Sequence, residues 1–148
     1  MVRINHTTVS EETSEGLLRE LGHYAIERGY ATDGYVEAVL DREADFPTGL
    51  EVPTASFDVA IPHADPEHVE TDALVLTFPD EPVPFKNMEA PEETVEAAAV
   101  MMLLTRDSEG YASFLSNLAN LFQHDEFAEA VAAKDYRQVF DLIETECL

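Results

Sequence analysis

The chain of 148 residues has no tryptophan, a single cysteine, Cys147, and only two lysines, Lys86 and Lys134. One cysteine excludes an intrachain disulfide, and with it the disulfide-stabilised class of small secreted domains. Lysine and arginine together number 8 against 31 aspartates and glutamates, so the formal net charge is -23. So few cations disfavour binding to a nucleic-acid backbone, which needs clustered lysine and arginine.

Long apolar runs are also absent. The longest one, residues 97–104, is far shorter than the roughly 20 residues of a membrane-spanning helix. Residues 1–16 contain no apolar core of the signal-peptide type. We therefore expect the protein to act in the cytoplasm.

The composition is otherwise that of a folded protein. Hydrophobic residues make up 45% of the chain, more than disordered chains contain. The length suits one domain over residues 1–148, with residues 1–8 frayed or forming an extra edge strand. Strongly acidic surfaces are used by halophiles, so we interpret the charge as the mark of a salt-loving organism and not as part of the function.

Apolar residues at helical spacing predict two helices in the first third of the chain. We expect Ser10 to cap the first helix, which ends at Gly29, and Asp33 to cap the second. The second helix carries Arg42 near its end, because Pro47 follows and breaks the pattern.

Strand patterns follow, and then helices again. The predicted strands lie at residues 50–52, 57–61, 73–78 and 95–105, with a brief edge pairing around 83–85. The run at 95–105 lacks alternation, so a buried helix is the alternative there. Three helices are predicted from Ser108, Asp125 and Tyr136. This order predicts an α/β fold, a mixed and mostly parallel central sheet of about five strands with helices on both faces.

One histidine stands where a strand must end. The apolar residues 57–61 run into Pro62, and His63 follows directly. Proline has no N–H for a sheet ladder, so the strand stops at that point. His63 is thereby predicted in a loop just past a strand end, where α/β proteins place ligands and chemistry. A neutral imidazole there can be a base, a metal ligand or a nucleophile; an ordinary surface histidine is the alternative.

Two motifs carry a resemblance to a known family. Residues 60–64, AIPHA, resemble the phosphorylation-site signature of enzyme IIA of the bacterial sugar phosphotransferase system (PTS), type 2, the mannitol/fructose class. Residues 40–49, LDREADFPTG, resemble the segment of that class that ends the second helix and carries a functional arginine. The sequence of this segment, together with a second histidine, His68, is most similar to the galactitol branch.

The resemblance implies a phosphoryl carrier. His63 would accept a phosphoryl group from phosphorylated HPr and pass it to a cysteine of enzyme IIB, for uptake of a galactitol- or fructose-type substrate through the membrane component IIC. It implies no cofactor and no metal. Arg42 is implied as the cation beside the phosphohistidine, since guanidinium binds phosphate oxygens bidentately. An ordinary ion pair of Arg42 with Glu43 or Asp45 is the structural alternative.

Other polar residues near the motifs are candidates for supporting roles. Asp65 can orient an imidazole, although it would repel a phosphate. Thr48 and Ser56 can donate hydroxyl hydrogen bonds to a phosphoryl group. A helix beginning after Pro62 would add the partial positive charge of its free N–H groups.

The chain departs from the family pattern at one position. Mannitol and fructose members place a second histidine at the start of the helix after the last strand, where Tyr111 stands here. Either His63 works without that partner, or His68 substitutes for it.

Two other functions stay open. One is a regulatory module of the nitrogen-related type, in which the phosphorylation state controls binding to another protein. The other is a metal- or small-ligand-binding protein that uses His63 and His68 with Asp65 and Glu67, although their spacing matches no metal signature.

Overall fold

The computed structural model describes residues 3–53 and 55–147. The elements, in chain order, are β1 (Arg3–His6), α1 (Ser14–Glu27), α2 (Tyr35–Asp45), β2 (Gly49–Glu51), β3 (Asp58–Ala60), a 3-10 turn (Pro66–His68), β4 (Ala73–Thr77), β5 (Val83–Lys86), β6 (Thr94–Leu104), α3 (Ser108–Leu121), α4 (Asp125–Ala132) and α5 (Tyr136–Cys147). The sequence predicted that residues 1–8 are frayed or form an extra edge strand. Residues 3–6 do form an edge strand, and residues 1 and 2 lie outside the described ranges.

The six strands form one mixed sheet in the order β1-β4-β6-β3-β2, with β5 also paired to β6. Strands β1 and β4 pair in parallel, as do β3 and β6. The other three pairings are antiparallel. The mixed sheet is confirmed, but it has six strands and is less parallel than expected, because short connections join β2 to β3 and β5 to β6 where a parallel pair would need a long crossover.

Helices cover both faces of the sheet, as predicted. Helices α1 and α2 pack on one face against side chains that include Val75, Val100 and Met102. Helices α3, α4 and α5 pack on the other against side chains that include Leu74 and Met101. Successive residues of a strand point to opposite faces, so a strand covered on both sides is apolar at nearly every position. The apolar run at 97–104 is therefore the central strand β6 and not a helix.

The first helix begins later than predicted. Thr13 is its N-cap, and the Thr13 hydroxyl accepts a hydrogen bond of 3.1 Å from the backbone N–H of Gly16. Ser10 does not cap the helix, and its hydroxyl lies 3.3 Å from a carboxylate oxygen of Asp80. The Thr13 geometry satisfies a helix N–H three residues ahead, which is the usual capping distance along the chain.

The junction of α1 and α2 follows the prediction only in part. Gly29 ends α1 with a positive φ of 78°, a conformation that glycine adopts without strain. Helix α2 is preceded by Gly34, so the predicted cap at Asp33 is wrong by one residue and no side chain caps this helix. Within the part of the chain described, no helix is long and apolar enough to cross a membrane.

Gly49 is the glycine on which the packing near β2 depends most. Its carbonyl oxygen accepts a hydrogen bond of 2.8 Å from Met88 N–H. A Cβ added at Gly49 would lie 2.6 Å from the carbonyl oxygen of Lys86 and 2.5 Å from Cγ2 of Val95. A backbone oxygen cannot swing aside as the end of a side chain can, so any larger residue here must displace the strand.

We expect Gly49→Ala to lower the free energy of unfolding by about 1–3 kcal/mol, because the methyl group overpacks a backbone contact. Gly110→Ala is the matched control. Its new Cβ would meet nothing closer than 3.5 Å, and in helix α3 it should raise stability by about 0.5–1 kcal/mol. Urea unfolding of the two variants beside the wild type measures both changes; equal stability of Gly49→Ala and wild type would contradict the prediction.

Candidate functional site

His63 lies just past the carboxyl end of β3, as predicted. Beyond Ala60 the extended chain continues between two neighbours. The N–H of Ile61 donates to the carbonyl oxygen of Thr48 at 3.1 Å, and the carbonyl oxygen of Pro62 accepts from Leu103 N–H of β6 at 3.0 Å. Since β3 and β6 are parallel, both end at the same edge of the sheet, and α3 begins beside His63.

Two hydrogen bonds fix the tautomer of His63. Nε2 lies 3.1 Å from Nε of Arg42, and a guanidinium can only donate, so Nε2 is the bare nitrogen. Nδ1 lies 3.2 Å from the carbonyl oxygen of Ile61, which can only accept, so Nδ1 carries the proton. The free lone pair of the imidazole is therefore on Nε2, facing the guanidinium.

The surroundings of His63 keep its ring neutral. Burial lowers the pKa of His63 to about 4, and the positive charge of Arg42 lowers it further, while the Ile61 carbonyl and the Asp65 carboxylate act in the opposite direction. Burial is the largest of these effects because it penalises the charged imidazolium. At pH 7 the imidazole is therefore neutral, the state in which it can act as a nucleophile.

Arg42 reaches His63 from the last turn of α2. Its Nη1 lies 3.2 Å from Oδ1 of Asp65, which is an exposed carboxylate. Its guanidinium carbon lies 5.1 Å from the centre of the Phe46 ring. The alternative of an ion pair with Glu43 or Asp45 is not what the structure shows. Asp65, expected to orient the imidazole, binds the guanidinium instead.

Thr48 is a buried residue that links two elements. Its hydroxyl is bound elsewhere and does not take the predicted role of a hydrogen-bond donor to a phosphoryl group. The hydroxyl donates to one oxygen of Glu43 at 2.7 Å, and the Thr48 N–H donates to the other at 2.9 Å. Burial raises the pKa of the Glu43 carboxyl, against the lowering effect of these two bonds. The Glu43–Thr48 pair joins the end of α2 to the start of β2, and so sets the distance between Arg42 and His63.

His68 is placed at the other end of α2. Its ring lies beside Gly34, where an added Cβ would be 3.5 Å from Nδ1, and its Nε2 is 3.6 Å from a carboxylate oxygen of Glu67. Gly34 precedes Arg42 by about 12 Å of helix. The structure therefore does not bring His68 to His63 as a substitute partner.

Three further possibilities raised by the sequence fail or find no support in the described residues. The segment after Pro62 is not a helix: only a single 3-10 turn forms, at Pro66–His68, so no helix N-terminus faces His63 from there. Ser56 is exposed in the turn before β3. Among the described side chains, no group of three or more histidines, cysteines, aspartates or glutamates converges as metal ligands.

Tyr111 is the neighbour of His63 that sequence reasoning missed. The centres of the two rings lie 3.9 Å apart, with their planes inclined at 31°. Asp107 caps the first turn of α3 by accepting from Glu109 N–H at 3.0 Å, and this turn carries Tyr111 over the imidazole. The aligned second-histidine position was the signal that this residue faces the site.

A small cavity opens beside the imidazole. Its volume is about 120 Å³, and its lining includes Arg42, His63, Asp65, Thr105 and Tyr111. A neutral nucleophilic nitrogen, a guanidinium and a phenol therefore meet around one space. This set suits an anionic electrophile such as a phosphoryl group, since the guanidinium offsets the charge that the nucleophile must approach.

The chain is similar to known proteins in both sequence and fold. A curated relative, the galactitol-specific EIIA component of the PTS of Escherichia coli (strain K12), is 25% identical over 115 residues, which is 78% of this chain and 75% of the relative. The solved complex of enzyme IIAMTL and phosphorylated enzyme IIBMTL from Escherichia coli contains a similar chain, with a TM-score of 0.73, 23% identity and coverage of 95% of this chain and 94% of that one.

The same fold occurs in a regulatory protein. The nitrogen regulatory protein IIA-Ntr from Neisseria meningitidis is similar with a TM-score of 0.66, 22% identity and coverage of 91% of this chain and 92% of that one. Residues 2–146 match the family described as phosphoenolpyruvate-dependent sugar phosphotransferase system, EIIA 2. The match spans nearly the whole sequence, and the chain belongs to this EIIA type 2 family.

Proposed function

We propose that this protein is the phosphoryl carrier of a sugar PTS of the galactitol type, with His63 as the residue that is phosphorylated. The donor is phosphorylated HPr and the acceptor is a cysteine of enzyme IIB. The observation that carries the proposal is the neutral His63, whose single bare nitrogen, Nε2, faces the Arg42 guanidinium. Family membership and the galactitol-specific relatives support the same reading.

The first transfer forms one bond and breaks one. The Nε2 lone pair of His63 attacks phosphorus, and the bond from phosphorus to the donor atom breaks with its electron pair left on HPr. The Nδ1 proton stays in place, held by the Ile61 carbonyl. In the second transfer the thiolate of enzyme IIB attacks phosphorus, and the electron pair of the phosphorus–nitrogen bond returns to Nε2.

Arg42 has a different partner in each state. Before transfer its Nε–H donates to Nε2 of His63 and its Nη1 to Asp65. Once Nε2 carries phosphorus, that lone pair is used and the Nε–H is free to donate to a phosphoryl oxygen. Asp65 then competes with the phosphoryl group for the same guanidinium, which limits how tightly the group is held.

Phe46 extends the site into a docking surface. Its side chain is 61% exposed, the one large hydrophobic residue among those described that is exposed, and it lies against Arg42. HPr and enzyme IIB must each bring a reactive atom to Nε2, so both have to cover this rim in turn. Transient partners of this kind share small interfaces, in which one exposed aromatic ring is a favourable anchor.

A regulatory role is the second candidate. The similarity to the nitrogen regulatory protein IIA-Ntr favours it, because that fold serves a protein named as regulatory. In that case His63 would be phosphorylated in the same way, but the group would change binding to another protein and not pass to enzyme IIB. The two functions differ in the second transfer only.

The first test is intact mass after incubation with phosphoenolpyruvate, enzyme I and HPr in high salt. We expect an acid-labile gain of one phosphoryl group in the wild type and none in His63→Ala. Adding the cognate enzyme IIB should remove the group from His63 within the same experiment. His68→Ala, which alters a histidine at the far end of α2, is the matched control and should be phosphorylated as the wild type is.

The possible failures separate the candidates. No gain in the wild type with an active HPr would overturn the phosphoryl-carrier proposal. A gain that enzyme IIB cannot remove would overturn the transport role and favour the regulatory one.

We expect Arg42→Ala to slow phosphoryl transfer by about 10- to 100-fold, the worth of a hydrogen bond to a charged group, while the fold survives. Arg19→Ala is the control, since Arg19 forms only exposed ion pairs with Glu15 and Glu37. Stopped-time labelling gives the rates, and urea unfolding tests the fold. An Arg42→Ala variant that is unfolded, or one that transfers at the wild-type rate, would contradict the assignment.

The lowered pKa of His63 predicts a pH dependence. Its folded value of about 4 lies below the ordinary 6.5, so the unfolded chain binds the extra proton first as the pH falls. The contribution of His63 to the free energy of unfolding is therefore fully present above about pH 6.5 and is lost as the pH falls toward 4. We expect the difference in unfolding free energy between wild type and His63→Gln to shrink from pH 7 to pH 5. The NMR titration of the His63 ring should show it neutral at pH 5.5; a midpoint near 6.5 would contradict the prediction.

A further inference from the structure

The hydroxyl of Tyr111 is buried and has no hydrogen-bond partner among the described residues. Three other side chains share this condition, Tyr24, Tyr35 and Thr77. Tyr111 differs from them in its place, since its ring contacts the imidazole of His63 and lines the cavity beside it. A buried polar group without a partner at a functional site calls for an explanation.

Packing of the ring alone does not explain a tyrosine at this position. A buried hydroxyl without a partner is destabilising relative to a satisfied one, and phenylalanine would give the same contact with His63 without that cost. The hydroxyl is therefore a group that the resting site leaves unused and that a bound group can use.

The charges around Tyr111 indicate that its hydroxyl is a donor, so the group that binds it must be an acceptor. Burial raises the pKa of Tyr111 to about 12, with Arg42 lowering it and Glu43 raising it. The phenol is thus protonated at neutral pH and available as a donor. In the resting site the hydroxyl donates to none of the described acceptors, Glu43 included, so its proton is free for an acceptor that enters the cavity.

We propose that the Tyr111 hydroxyl donates a hydrogen bond to an oxygen of the phosphoryl group carried on Nε2 of His63, as the second donor beside Arg42. This inference rests on the proposed function. The proton stays on the phenol, and no bond is made or broken at Tyr111. One cation and one neutral donor then hold the group, and no second charge is needed in the site.

The test uses Tyr111→Phe, which removes only the oxygen and keeps the ring over His63. We expect the equilibrium constant for transfer from phosphorylated HPr to fall about tenfold, the worth of one hydrogen bond to a charged group. The 31P chemical shift of the phosphohistidine should change as well. The unfolding free energy of the unphosphorylated variant should not fall, because no partner loses a hydrogen bond.

Tyr35→Phe is the matched control. It removes another buried hydroxyl without a partner, from helix α2 and outside the cavity lining, and it should leave the equilibrium constant and the 31P shift unchanged. A wild-type equilibrium constant and 31P shift in Tyr111→Phe would overturn this inference while the carrier function stands. Failure of the wild type to accept a phosphoryl group would overturn both.

Discussion

The hydrogen bond from Arg42 Nε to His63 Nε2 is the interaction on which the site depends. It joins the end of α2 to the segment that follows β3, two parts of the chain that are 21 residues apart at this contact. It also decides which imidazole nitrogen is bare, because a guanidinium can only donate. Under the proposed function, a neutral nucleophile and its neutralising cation are thus in contact before any substrate arrives, so little reorganisation is left for the transfer itself.

Arg42 and Glu43 are adjacent in one turn of α2, but their side chains have different partners. Arg42 faces His63, while Glu43 turns inward and binds the backbone and hydroxyl of Thr48. Thr48 in turn accepts the N–H of Ile61 through its carbonyl oxygen. A continuous path of hydrogen bonds therefore runs from the helix that carries the cation to the loop that carries the nucleophile. A buried carboxylate suits this purpose, since leaving it unpaired would be costly.

The sequence predicted the local features of the fold and site better than their spatial relations. The Pro62–His63 step is a local signal, because proline has no N–H to donate to a sheet ladder, and β3 ends at Ala60. Thr48 lies within one motif and Asp65 directly follows the other, yet which atoms their side chains bind depends on how α2 docks, which no spacing shows. His68 lies five residues from His63, but the chain turns at Pro66–His68 and carries it to the wrong end of α2. Tyr111 reaches the imidazole through long-range packing of α3.

The carbonyl of Ile61 has a consequence beyond choosing a tautomer. In the unphosphorylated protein it holds the proton on Nδ1, and under the proposed function a proton held there throughout means that neither transfer has to wait for a proton to leave or arrive. Under the proposed function the exchange is then reversible at this residue, and its direction is set by the relative energies of the phosphoryl bonds on the two partners. No side-chain substitution can remove this backbone oxygen, so the domain would keep the capacity to transfer the phosphoryl group in either direction.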